Sequence, residues 1–259
     1  MTTGGEPDGT ASPGSMSGKV AVITGGSRGL GLAMARGFAA AGAAVVIASR
    51  KLAACEEAAA SISADTGAQA LPVAFHAGHW DEAEQLADRV HERFGRVDVL
   101  VNNAGMSPLY PSPAELSEDL FDKVLAVNLK GPFRLTAVIG PRMAAAGSGS
   151  IINITSMAAV RPRPDVLPYA AAKAGLNALT IGFARAYGPA VRVNAIMAGT
   201  FLTGVSESWD IDAFARRAES FALRRGGRPG EIVGAALYLA SDAASYTTGA
   251  VLQVDGGQP

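Results

Sequence analysis

Lys19–Ala41 reads KVAVITGGSRGLGLAMARGFAAA. Its opening, Lys19 to Thr24, is a short β-branched run of the kind a strand shows when both its faces are covered. It runs into Gly25-Gly26-Ser27-Arg28-Gly29-Leu30-Gly31, and an alanine-rich helical pattern continues to about Ala41 before Gly42 closes it. Strand, glycine turn and helix in that order bring backbone N–H groups and a helix N-terminus onto a diphosphate. Gly25 lets the chain turn, Gly29 lets a phosphate approach, and Gly31 lets helix and strand pack closely. Glycine turns also join strands to helices where nothing binds, so this loop by itself marks a candidate nucleotide site.

Working outward, Ala44–Ala48 reads as a second strand and ends in Ser49-Arg50-Lys51. In a dinucleotide site a carboxylate at this point would hold the adenosine ribose of NAD and repel the extra phosphate of NADP. Arg50 and Lys51 stand there instead, with Arg28 in the turn as a third cation. They are either a solvated helix start or a phosphate grip. Cations do not favour a helix N-terminus, so the expectation is NADP(H) preferred, with NAD(H) possible. Leu52–Ala64 is helical, Ala70–His76 a third strand, and Asp81–Phe94 a helix with Asp81 as its expected cap. Val97–Val101 is a fourth strand that ends in the turn Asn102-Asn103-Ala104-Gly105. Alternating strands and helices predict parallel βαβ units, whose ligands bind beyond the carboxyl ends of the strands.

Ile151–Lys173, IINITSMAAVRPRPDVLPYAAAK, carries the chemistry. An apolar run ends on Ser156, and a helical pattern starting near Pro168 bears Tyr169 and Lys173. Positions four apart share a helix face. An ammonium beside a phenol favours the phenolate and makes the tyrosine usable as a proton donor or acceptor. The plainer alternative is a helix face with one aromatic and one solvated charge.

Composition narrows the class. The 259 residues are 49% hydrophobic and 17% charged, enough for one sizeable α/β core, and the formal net charge of −1 gives no basic surface for nucleic acid. Cys55 is the single cysteine, so no internal disulfide forms and a reducing compartment suits the chain. His76, His79 and His91 have no zinc-type spacing, and no metal is expected. Residues 1–16 are small and polar and read as a flexible tail, not a signal peptide. No apolar segment reaches membrane-spanning length; the expected location is cytoplasmic.

Taken together these motifs resemble the short-chain dehydrogenase/reductase family. Thr24-Gly25-x-x-x-Gly29-x-Gly31, Asn102-Asn103-Ala104-Gly105, Asn128 in VLAVNLKGPF, Ser156 and Tyr169-x-x-x-Lys173 match its pattern in order and spacing, and Gly249–Gly257 resembles its last strand and closing loop. The resemblance covers about Lys19 to Gly257 and extends to members that reduce 3-oxoacyl-[acyl-carrier-protein]. It implies a single-domain Rossmann fold over residues 17–259: a doubly wound, parallel, seven-stranded sheet with helices on both faces. It also implies hydride transfer between NAD(P) and a carbonyl or alcohol carbon. Tyr169 would be the acid/base, Ser156 would orient the substrate oxygen, and Lys173 would lower the tyrosine pKa and bind the nicotinamide ribose. Asn128 would complete a proton path through a water beside Lys173. The cofactor would lie along Gly25, Ser27, Arg28, Gly29, Leu30 and Gly31, then Ser49, Arg50 and Lys51, then Asn103, Ala104 and Gly105. Gly199 and Thr203, with Tyr169 and Lys173, would meet the nicotinamide end.

Two positions depart from the family pattern. His76 stands where an aspartate commonly contacts adenine, leaving that contact to His76, Ala77 or backbone groups. After the strand Val191–Ile196 the family's Pro-Gly is Ala198-Gly199, which predicts a less pre-set loop. The substrate would be enclosed by Met106–Pro111, Met157–Leu167 and an insertion of about 203–225 whose Trp209, Phe214 and Phe221 are either a lid or ordinary packing. Leu109, Tyr110 and Trp209 point to an apolar or partly aromatic substrate. Arg161 and Arg163 flank the entrance, solvated or facing an anionic tail. Reduction of acyl thioesters, reduction of free ketones, and NAD-dependent oxidation of an alcohol, sugar or steroid all remain open. A non-catalytic dinucleotide-binding regulator would be expected to lack one of Ser156, Tyr169 or Lys173. Helices around Leu116–Ala145 and Tyr169–Tyr187 imply by resemblance a dimer, and the C-terminal segment a homotetramer.

Overall fold

The computed structural model describes residues 14–204 and 210–259; most of the expected tail, and Trp209 of the expected lid, lie outside them. Seven parallel strands, β1 (Val20–Thr24), β2 (Ala44–Ser49), β3 (Ala70–Ala74), β4 (Val99–Asn102), β5 (Gly149–Ser156), β6 (Val191–Ala198) and β7 (Val251–Val254), form one sheet in the order β3-β2-β1-β4-β5-β6-β7. The order reverses between β1 and β4, which opens a crevice beyond their carboxyl ends.

Alternation within the strands sends side chains to two cores. Ala21 and Ile23 of β1 join one, packed against α1 (Gly29–Ala40), α2 (Leu52–Thr66) and α8 (Val233–Ala240). Val20 and Val22 join the other, packed against α3 (Glu82–Phe94), α5 (Gly131–Ala145) and α6 (Leu167–Tyr187). Gly31, Met34, Ala35 and Phe38 of α1 recur at helical spacing and are all buried. Two shorter helices, α4 (Glu118–Leu125) and α7 (Ile211–Ala218), complete the elements discussed below.

Several boundaries differ from the sequence reading. Met16, assigned to the tail, is fully buried, and its N–H donates to the Ala41 carbonyl at 2.9 Å. The folded unit therefore includes it. Asp81 precedes α3 with a helical backbone and makes no side-chain cap bond, so it is not the cap expected of it. Glu82 instead turns its carboxylate back to the His76 N–H at 2.6 Å and to His79 Nδ1 at 2.7 Å. Phe221 is buried, and Phe214 lies close to where a Gly226 Cβ would fall. Of the three aromatics assigned to the insertion, these two therefore pack within the fold.

A file of buried polar side chains ties α6 to the sheet. Asn102 Nδ2 donates to Thr136 Oγ1 at 3.0 Å and to Asn153 Oδ1 at 2.9 Å. Asn153 Nδ2 donates in turn to Thr180 Oγ1 at 2.9 Å. Each buried amide is thereby satisfied by a partner on a neighbouring element.

Candidate active site

The glycine turn is held shut from the β4 side. Thr24 Oγ1 accepts the N–H groups of Asn103 at 2.9 Å and Ala104 at 3.0 Å, and donates to Val101 O at 3.2 Å. Asn103 Nδ2 donates to Thr24 O at 2.8 Å and to Gly25 O at 3.3 Å. Asn103 thus acts here as a brace for the turn. The turn has no room for side chains: a Cβ at Gly31 would lie 2.2 Å from Gly25 O, and Gly25 itself has φ +64°. Gly29 starts α1 with φ +58°, and Thr203 lies over it, its Cγ2 3.5 Å from where a Gly29 Cβ would fall. Arg28 at the cap position offers no side-chain acceptor, and the first turn carries no carboxylate. That helix start suits a diphosphate. Leu30 packs against the core, so only its backbone faces the turn.

Ser27 and Ser49 hydroxyls meet at 2.9 Å, joining the glycine turn to the end of β2. Arg28, Arg50 and Lys51 are exposed, and among the described residues none of them forms an ion pair. Their charges are free to meet an anion. His76 lies just past β3, which ends two residues earlier than expected, and its ring stacks on His79 with centroids 4.0 Å apart. Gly78 N–H donates to His76 Nδ1 at 3.1 Å, which leaves the proton of the neutral ring on Nε2. Burial first, then the neighbouring His79 and Arg50, push the His76 pKa down, against the pull of Glu82. Ala77 is buried, and a Cβ on Gly131 would meet its carbonyl oxygen at 1.8 Å; it serves the packing of α5.

Ser156 ends β5, and Tyr169 and Lys173 lie one turn apart on α6. The structure brings the three together. The Ser156 hydroxyl, which accepts the Ala158 N–H at 3.2 Å, lies near enough to the Tyr169 phenol to favour its ionised form, and Lys173 Nζ lies 5.6 Å from the centre of the Tyr169 ring. Lys173 is buried and donates to Ile154 O at 2.8 Å. Burial raises the Tyr169 pKa and the Ser156 hydrogen bond opposes it, while burial lowers that of Lys173 to about 8.

Asn128 sits at the centre of a π-helical stretch, Ala126–Lys130, between α4 and α5. Its Nδ2 donates to Met106 O at 2.8 Å and Val124 O at 2.9 Å, and its Oδ1 accepts Met106 N–H at 3.3 Å. Both N–H groups of the side chain are therefore engaged, and the amide pins the chain after Gly105, with one acceptor position of Oδ1 remaining. A Cβ at Gly105 would lie 3.0 Å from Asn128 Oδ1 and 3.7 Å from Lys173 Nζ, so Gly105 keeps open the space between amide and ammonium.

The loop after β6, expected to be loose without proline, is buttressed. A Cβ at Gly199 would strike Asp255 Cα at 2.5 Å, and Gln258 Oε1 accepts from Thr200 N at 3.2 Å and Thr200 Oγ1 at 3.1 Å. Tyr110 is likewise structural: its hydroxyl donates to Pro164 O and accepts Leu167 N–H, each at 2.8 Å, strapping together the two loops that border the crevice. Leu109 is exposed. Thr24 and Gln258 were not picked out as functional from the sequence, and Tyr110 was read there only as a substrate contact, not as a strap between loops. Only Thr24, a hydroxyl placed directly before the glycines, carried a local signal.

The chain is similar to known proteins over nearly its whole described length. A family model described as enoyl-(acyl carrier protein) reductase matches residues 25–258. Human dehydrogenase/reductase SDR family member 4 is 34% identical over 244 residues, covering 93% of this chain and 87% of that protein. The solved NADPH-dependent 3-quinuclidinone reductase of Rhodotorula rubra superposes with a TM-score of 0.90 at 32% identity, covering 100% of this chain and 97% of its own. The L-sorbose reductase of Gluconobacter frateurii, complexed with NADPH and L-sorbose, does so at 0.89 and 31%, covering 95% and 98%.

Proposed function

Because the chain belongs to the short-chain dehydrogenase/reductase family and is therefore an oxidoreductase, we propose that it is an NADP(H)-dependent reductase of a carbonyl group. The observation that carries this reading is the grouping of Ser156, Tyr169 and Lys173 at the carboxyl end of the sheet. The glycine turn and the unpaired Arg28, Arg50 and Lys51 support the cofactor, and two similar solved structures are named with NADPH.

When bound, the reduced nicotinamide supplies the hydride that adds to the carbonyl carbon. Ser156 donates a hydrogen bond to the carbonyl oxygen and fixes it in front of Tyr169. Tyr169 gives its phenolic proton to that oxygen as negative charge develops there, and the product is the alcohol. Lys173 places a positive charge near the phenolate left behind and, with its remaining donors, holds the nicotinamide ribose. Asn128 fixes Met106 and so keeps the Gly105 turn open to the cofactor. Tyr169→Phe tests the reading: NADPH oxidation with a reducible ketone should fall by about a hundredfold or more, while NADPH still binds. Activity near the parent's would sink it.

A further inference from the structure

The rim of the crevice gathers three guanidinium groups from two segments. Arg161 and Arg163 lie between β5 and α6, and Arg217 projects from the last turn of α7. Arg161 donates to the Gln258 carbonyl, and the Gln258 side chain in turn accepts from Thr200. Arg217 Nη2 reaches the same Thr200 hydroxyl at 3.5 Å. Thr200 follows β6, whose Ala198 is the register partner of Ser156. The arginines therefore frame the strand ends that carry the proposed substrate-orienting hydroxyl.

Of the three, Arg163 is the one with an ion-pair partner among the described residues. Asp165 accepts two hydrogen bonds from Arg163, one of them from Nε at 3.0 Å. Arg217 lies near enough to feel both: loss of solvent, then Arg163, lower its pKa, and Asp165 opposes them. Its guanidinium carbon lies over the Phe214 ring, 5.6 Å from the ring centre. Among the described residues neither Arg161 nor Arg217 forms an ion pair. Asp165, the carboxylate that acts on Arg217, is thus already held by Arg163. A planar guanidinium fork matches a carboxylate in shape and charge.

We propose that Arg217, with Arg163 beside it, is an anion subsite that selects oxo acids as substrates, holding the carboxylate while the keto group faces Ser156 and Tyr169. The inference rests on the reductase reading and adds a substrate class to it. Arg161 braces the C-terminal segment under the subsite.

The test uses the full chain, NADPH and a homologous series of linear oxo acids, each paired with its methyl ester. The best acid should exceed its ester in kcat/KM by about tenfold or more. Arg217→Ala should raise KM for the acid more than it lowers kcat and bring the acid/ester ratio close to one, and Arg217→Lys should restore part of it. Equal rates for acids and esters in the parent enzyme would overturn the subsite while leaving the reductase reading intact. So would an Arg217→Ala loss shared equally by acid and ester. Calorimetric titration of glutarate into the NADP complex gives a readout free of turnover: heat of binding is expected from the parent and not from Arg217→Ala, and no binding to the parent counts against the subsite. Failure to reduce any carbonyl compound, charged or neutral, would instead remove the reductase reading itself.

Discussion

Lys173 is a cation withdrawn from water, and the hydrogen bond it makes is to the carbonyl of Ile154. Burial lowers its pKa from 10.5 to about 8. The folded chain thus binds this proton less tightly than the unfolded chain does. Between about pH 8 and 10.5 the unfolded state holds more protons, so stability should rise with pH across that window and stay level in this respect below it. Urea unfolding of the parent and of Lys173→Met should show their stability difference shifting in the parent's favour over that range; a flat difference would contradict the assignment. Arg50 carries a prediction about cofactor choice. Arg50→Asp should move the NADP/NAD ratio of kcat/KM toward NAD by about ten- to hundredfold, and an unchanged ratio would count against the phosphate grip. At this scale the sequence was most readable where a residue type permits one backbone geometry, as at Gly25 and Gly31. It was least readable where side chains chose among partners. Asp81 looked like a cap, but the adjacent Glu82 reaches the His76 backbone, and Tyr110 looked like a substrate contact until its hydroxyl was found bridging two loops.

The elements were legible from hydrophobic period, with strand and helix ends displaced by a residue or two. What the period could not reveal was the π-helical stretch at Ala126–Lys130. One extra residue in the turn leaves the apolar pattern of VLAVNL nearly unchanged, yet it turns Asn128 inward onto Met106 and Val124. The prediction belongs to that element. Asn128→Ala removes the side-chain partner of the half-buried N–H and carbonyl of Met106, leaves a gap where a fully buried amide stood, and should cost about 1 to 2 kcal/mol in denaturant unfolding. It should also lower turnover in the fraction that remains folded, because the Gly105 turn loses its anchor. Unfolding at the parent's midpoint would show that the amide contributes nothing there.

For the molecule as a whole, the alternation of strands with helices implied parallel βαβ units, and the family resemblance implied the doubly wound seven-stranded sheet. The buttress from residues 255–258 under the β6 loop was not readable, because it joins segments about sixty residues apart. Assembly is a prediction at this scale. Phe121 on α4, Phe133 on α5 and Ile181 on α6 are each about two-fifths exposed, and this apolar surface fits the expected pairing of those helices between copies. Light scattering at micromolar concentration should give the mass of a homotetramer, and a monomeric mass would rule that out. A different consequence follows from the polar file Asn102–Asn153–Thr180. Greasy surfaces can slide past one another at small cost, but hydrogen bonds at fixed spacing cannot. The file acts as an indexing pin: it fixes how far α6 is advanced along its own axis, and so the height at which Tyr169, about three turns away, meets whatever enters the crevice.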